Sequence, residues 1–369
     1  MKKHISLILS ITLLVLAITG CSAPAASAPA QADASAPKQK ITLIIGSGHG
    51  EACPWIKAAQ DFFEVEVAKR VAEKTNYEIE WVESYGGSVI TLGNELEGAR
   101  DGLVDIACVM IPFEASRLPL EASSFSCPFS CPDPMVACKV ITALLNEFPE
   151  ITADFDKYNL KLIGAGITDQ YGLWSNKKVE KIEDLAGMKI GVAGLNSSWI
   201  EGSGAIGVQT NLNEVYQNIQ TNVCQATTQP THTCVNVKLY EAAKYYLDAE
   251  FNVITPALGL SVNKTKLASL PQEVQDIIVQ TGGEFLEYEC NYINTLHQQD
   301  IETMKANGCE VTTISWELKQ AWAATLNDVV HDHIQTLNAA GYDGSKFIKR
   351  YYELLEENGI PKVRDWNMD

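Results

Sequence analysis

Positive charge is scarce in this chain. Its 369 residues hold 28 Lys and Arg against 46 Asp and Glu, a formal charge of −18 with a pI near 4.8. Polyanion binding runs on clustered cations and counterion release, so nucleic acid is excluded as a partner. Beyond residue 20, no apolar run approaches the roughly 20 residues that a membrane-spanning helix needs. No G-x-S-x-G occurs, which weighs against a nucleophile-elbow hydrolase. Zinc spacing is missing too. Neither Cys127-x3-Cys131-x6-Cys138 nor Cys224…His232-x-Cys234 has a second pair, and His331 and His333 stand two apart on a helical stretch, facing apart. Gly202-x-Gly204-x-x-Gly207 lacks the acid that a dinucleotide fingerprint needs about 20 residues on, and reads as a turn. We therefore expect no enzyme, no metal and no cofactor.

What is present begins with an export signal. Lys2 and Lys3 precede a mainly apolar run over residues 5–18, too short to span a bilayer and suited to a secretory signal. Ile18-Thr19-Gly20-Cys21 then resembles a bacterial lipobox, which makes Cys21 the expected lipidation site and residues 1–20 the signal peptide. Fourteen of residues 21–40 are Ala, Ser or Pro. Such a stretch buries too little to offset the entropy of ordering, so it reads as a tether. The expected location is extracytoplasmic, on the membrane through a lipid anchor.

With 46% hydrophobic and 20% charged residues over the whole chain, most of it reads as globular, and the body begins near Lys40. Apolar runs alternate with amphipathic stretches, an α/β pattern. Strands are expected at 41–45, 77–82, 104–110, 160–167, 171–175, 188–192 and within 251–262. Helices are expected at 55–73, 92–103, 135–148, around Trp199, at 214–221, and at 316–340 and 345–358. In the first of these, Ile56, Ala59, Phe63 and Val67 share one face. The longest periodic segment runs from Pro271 to Asn307, with Gly282-Gly283 placed to break it. Unbroken, it is long enough to lie along two lobes.

Nine cysteines remain after Cys21. Outside the cytoplasm disulfides are allowed, and Cys224–Cys234 and Cys127–Cys138 are the pairs to test first. Cys108, in a buried strand, is expected to be a free core thiol. A fully reduced set stays open.

Four passages in order resemble the solute-binding subunit of TRAP transporters, the DctP-type family. They are Glu95–Ala107 (a helix into G-L-V-D-I-A), Ile182–Ile190 (I-E-D-L-A-G-M-K-I), Gly204-Ala205 with Glu214-Val215-Tyr216 and Gln220-Thr221, and Asn263-Lys264 with Leu270–Val274. The resemblance implies a two-lobed, periplasmic-binding-protein-like (Venus flytrap) fold with a long helix spanning both lobes. Residues 41–165 with about 254–280 would form lobe I, and 166–253 with about 281–369 lobe II. It further implies capture of a small organic solute in the cleft, an organic acid though not necessarily a C4-dicarboxylate, and delivery to a small and a large integral membrane subunit. A sensor module serving a membrane receptor is the alternative.

One departure bears on the solute. Where the family carries an Arg that forks onto the ligand carboxylate, this chain has Gly191. Losing such a pair forfeits about 2–5 kcal/mol unless another cation replaces it. The expected ligand-binding residues are therefore aromatic and amide: Tyr171, Trp174, Trp199, Asn213, Gln225 and Gln229 from lobe II, with His49, Trp55 and Tyr85 from lobe I. A carboxylate held by backbone N–H groups near Gly48–Gly50 also stays open.

Overall fold

Residues 37–212, 214–252 and 256–369 are described by the computed structural model of the chain. Cys21, most of the Ala/Ser/Pro stretch and Asn213 lie outside these residues. Eleven strands occur among them. β1 to β4 are Gln39–Gly46, Tyr77–Ser84, Ile106–Met110 and Leu160–Gly166. β5 to β8 are Tyr171–Ser175, Lys189–Val192, Ile206–Gln209 and Ala226–Pro230. β9 to β11 are Tyr245–Asp248, Leu258–Asn263 and Glu310–Thr313.

The strands form two sheets within one compact unit, Lys38–Asp369. The first has the order β2-β1-β3-β10-β4, with β1 parallel to β2 and β3, and β10 antiparallel to its neighbours. The second has the order β11-β9-β5-β8-β6-β7, in which β5 runs antiparallel to β8 and β9. The chain thus crosses from the first sheet to the second after β4, and returns to it in β10. Each sheet has helices on it, as expected for mixed α/β layers.

Behind β1 comes a helical run from Pro54 to Lys74. Its middle turn, Ala59–Glu64, is π-helical, and its buried face carries the expected Ile56, Ala59, Phe63 and Val67. The segment from Pro271 to Asn307, which Gly282-Gly283 could have interrupted, is one continuous helix, Gln272–Ala306, as the expectation of a long spanning helix had it. Gly282 serves contact here: a Cβ would stand 2.7 Å from the Ile163 carbonyl oxygen, so its absence lets the helix lie close on β4. Val274, Ile277, Ile278 and Phe285 pack into the core of the first sheet, and Leu286, Cys290 and Ile293 into that of the second. Two polar clamps fix this spanning helix. The Arg70 guanidinium forks onto Glu284 at 3.0 and 2.6 Å, and Glu289 accepts the Ile167 N–H at 2.8 Å just beyond β4.

The helix expected over 316–340 is two, Trp316–Thr325 and Val329–Ala339. Asp328 caps the second by accepting the His331 N–H, while Arg364 donates to the Ala323 and Leu326 carbonyls that end the first. With Gly344–Glu357, these helices share a core with Pro134–Glu147. All nine described cysteines are free, so neither Cys224–Cys234 nor Cys127–Cys138 is bridged. Eight of the nine are buried as small apolar side chains.

Candidate functional site

The carboxyl end of β1 runs through a turn into a helix, the carboxyl end of β8 runs directly into the helix Thr231–Asn236, and a cavity of about 430 Å³ lies between them. Strand ends of this kind are where open α/β sheets leave crevices for ligands. The first sheet's connections contribute His49, Trp55, Leu92 and Phe113; the second contributes Tyr171, Ala193, Gln229, Thr233 and Val237. Asn236, at the end of the helix Thr231–Asn236, donates to the Ala52 carbonyl at 3.0 Å. That bond joins the two walls beside the opening.

The first wall is set by Glu95. Its buried carboxylate accepts the Ser47 hydroxyl at 3.1 Å and the Gly48 and Met110 N–H groups at 2.8 Å each. Burial lifts this carboxyl to about 7, while those hydrogen bonds pull the other way. The His49 N–H goes to the Ser47 hydroxyl at 3.3 Å. This bears on the backbone N–H groups of Gly48–Gly50 that the sequence left open to a carboxylate. The N–H groups of Gly48 and His49 already have partners, and the first partner is a carboxylate.

His49 and Trp55 are paired. The indole Nε1–H donates to His49 Nδ1 at 3.3 Å, and the rings lie 5.5 Å apart. With Nδ1 accepting, the neutral imidazole carries its proton on Nε2. Burial pushes His49 down to about 4, so the ring is uncharged at neutral pH.

The second wall rests on β5 and β8, where Gly172 lies opposite Gln229. Gln229 is 2% exposed, and its Nε2 has no hydrogen-bond partner. A buried amide donor left unpaired on a cavity wall is costly, and a ligand acceptor relieves the cost. Beneath this wall Asp169 accepts the His232 N–H through Oδ2, and burial raises its carboxyl to about 7.

The structure therefore brings His49, Trp55, Tyr171 and Gln229 to one cavity. It does not bring the others. Trp174 stands three residues after Tyr171 on the same strand, so side-chain alternation turns it to the opposite face, against Tyr246 at 4.7 Å. Trp199 lies behind the wall. Its Nε1–H donates to the Phe125 carbonyl at 2.7 Å and its ring packs on Tyr171, Phe125 and Phe251. Gln225 accepts the Lys189 N–H at 2.9 Å and closes the β6–β8 edge. Tyr85 turns away to donate to Glu64 at 2.6 Å. Sequence reasoning missed Phe113, Phe125, Thr168 and Thr233. Only Thr233 had a signal, the uncharged polar stretch over 223–233.

Comparison with known proteins gives a consistent picture. The family model for DctP, bacterial extracellular solute-binding protein, family 7, matches residues 45–336. A monocarboxylate 2-oxoacid-binding periplasmic protein of Nostoc is 24% identical over 273 residues, spanning 72% of this chain and 74% of the relative. The pyroglutamic-acid-binding extracytoplasmic solute receptor of Bordetella pertussis superposes with a TM-score of 0.72 at 22% identity, over 84% of this chain and 99% of that one. A TRAP periplasmic solute-binding protein of Haemophilus influenzae, with bound L-gulonate, gives 0.71 at 18% identity, over 86% and 100%.

Proposed function

Because the chain belongs to the DctP family of bacterial extracellular solute-binding proteins, we propose that it captures a small organic solute between its two sheets for a TRAP-type secondary transporter. The observation that carries this reading is the cavity walled from both sheets, with the unpaired Gln229 amide on one side and the His49–Trp55 pair on the other. Mechanistically, a ligand that touches both walls stabilises the closed arrangement over an open one by its differential contact. Tyr171, Gln229, His49 and Trp55 are the proposed contact residues. Relatives bind pyroglutamate and L-gulonate, which supports a solute of that size.

The partners in this reading are a small and a large integral membrane subunit, and the site of action is extracytoplasmic. The lipobox-like Ile18–Cys21 supports an anchor through a lipidated Cys21. No helix among the described residues is long and apolar enough to cross a membrane.

A thermal-shift screen of the full chain in detergent tests the proposal. Solute at 100 times its dissociation constant stabilises the folded state by about 2.7 kcal/mol. A saturable shift for one chemical class is expected. Absence of any shift across organic acids, amides, polyols and amines would contradict it.

A further inference from the structure

We infer that the solute this cavity takes is uncharged: a molecule with a flat apolar body and an amide, lactam or similar group that both donates and accepts hydrogen bonds. The inference rests on the solute-capture reading above and narrows its substrate class.

No Lys or Arg is among the cavity's described lining residues, and no Asp or Glu either. The whole chain has five arginines, and each is committed elsewhere. Arg70 is held by Glu66 and Glu284, Arg100 by Asp101, Arg117 by Glu97 and Glu114, Arg350 by Glu147, and Arg364 by two backbone carbonyls. Gly191 leaves no space for a replacement. A Cβ there would stand 2.9 Å from both Thr210 Cγ2 and Thr227 Oγ1, and the Thr227 hydroxyl donates to the Gly191 carbonyl at 3.0 Å.

The ionisable groups behind the walls are carboxyls, and they give an anion no attraction. Glu95 bonds directly to the N–H groups of Gly48 and Met110, both of which line the cavity, and Asp169 lies beside lining Thr168 and Tyr171. A carboxylate brought here would leave water with no cation to meet it and with buried carboxyl groups behind the wall. What the walls do offer is neutral. Gln229 presents an amide with an unpaired Nε2, and His49 is an uncharged ring with its proton on Nε2. Trp55, Phe113 and Phe125 supply flat apolar surface, which suits a planar ligand body.

The test uses the full chain in detergent, stripped of ligand by unfolding and refolding. It is incubated with an equimolar mixture of nicotinamide, nicotinate, benzamide, benzoate, 2-pyrrolidinone and pyroglutamate, and separately with a metabolite extract. Retained molecules are read by native mass spectrometry and, after denaturation, in both ion polarities. The uncharged member of each retained pair is expected to be favoured at least about tenfold, and the molecule enriched from the extract to carry no net charge. A carboxylate retained as well as or better than its amide overturns the uncharged class and leaves solute capture standing. Ala52→Trp, at an exposed position on the opening, is the blocked control. Enrichment no greater than in that control overturns capture at this cavity, and this inference with it.

Discussion

The Glu95 carboxylate accepts the Gly48 N–H at 2.8 Å, so the turn that leads from β1 into the cavity is held by the protein's own acid. The same side chain accepts from Ser47 and Met110 and joins β1 to β3 at the cavity floor. Glu95→Gln keeps the shape but has a single acceptor oxygen, and its NH₂ meets one of the N–H donors. Loss of about 1–3 kcal/mol of stability is expected, read by urea denaturation.

Gln229→Leu separates binding from folding. The unpaired Nε2 is removed, so the unliganded protein should melt no lower than wild type. Binding of the solute should weaken about 10–100-fold, the scale of a hydrogen bond to a buried group, as read by calorimetric titration. A variant that melts several degrees lower with unchanged affinity would assign Gln229 to structure alone.

At Gly191 the prediction is steric. Gly191→Ala places its methyl 2.9 Å from Thr210 and Thr227, and about 1–3 kcal/mol of destabilisation is expected from overpacking. Gly191→Arg should fold worse still and gain no affinity for carboxylates. Thermal melts and titration with pyroglutamate check both.

Glu64 gives a pH signature. It is buried in the π-helical turn, receives the Tyr85 hydroxyl, and burial raises its carboxyl from 4.5 to about 7. The folded state therefore holds this proton more tightly than the unfolded state. Its contribution is full below about pH 4.5 and declines as pH rises to about 7. Glu64→Gln does not titrate. Its stability relative to wild type should rise between pH 4.5 and 7 and level off above, measured by denaturant midpoints across that range.

The cysteines should behave as thiols. Without reductant, the unfolded chain should yield nine alkylatable cysteines besides Cys21. In the native state Cys138 should react first. It alone among the nine is not buried, and a hydrogen bond from the Cys290 thiol pulls it below the ordinary thiol range. Peptide mapping after brief labelling checks the order.

Periodicity carried most of the fold into view. The apolar stripe Ile56-Ala59-Phe63-Val67 and the run from Pro271 to Asn307 declare helices because one buried face repeats over several turns. Short elements escaped. β7, β9 and β11 have four residues each, too few for alternation to register, although β6 of the same length was expected at 188–192, and the break at Leu326–Asp328 depends on Arg364, distant in sequence. For the site, His49 and Trp55 were legible because they follow the end of β1, where crevices form, and Gln229, inside β8, because amides stood in for the missing Arg. Trp174 and Trp199 were misplaced because composition does not say which face a side chain takes. Phe113 and Phe125 reach the cavity from irregular connections with no sequence period.

The claim that a solute is clamped between the two sheets is tested most directly by hydrogen exchange. Amides of residues 47–56 and 226–237 should both slow when the solute giving the largest thermal shift is added, and Gln229→Leu should reduce both effects. Slowing confined to one wall, or found only away from both segments, would contradict the account.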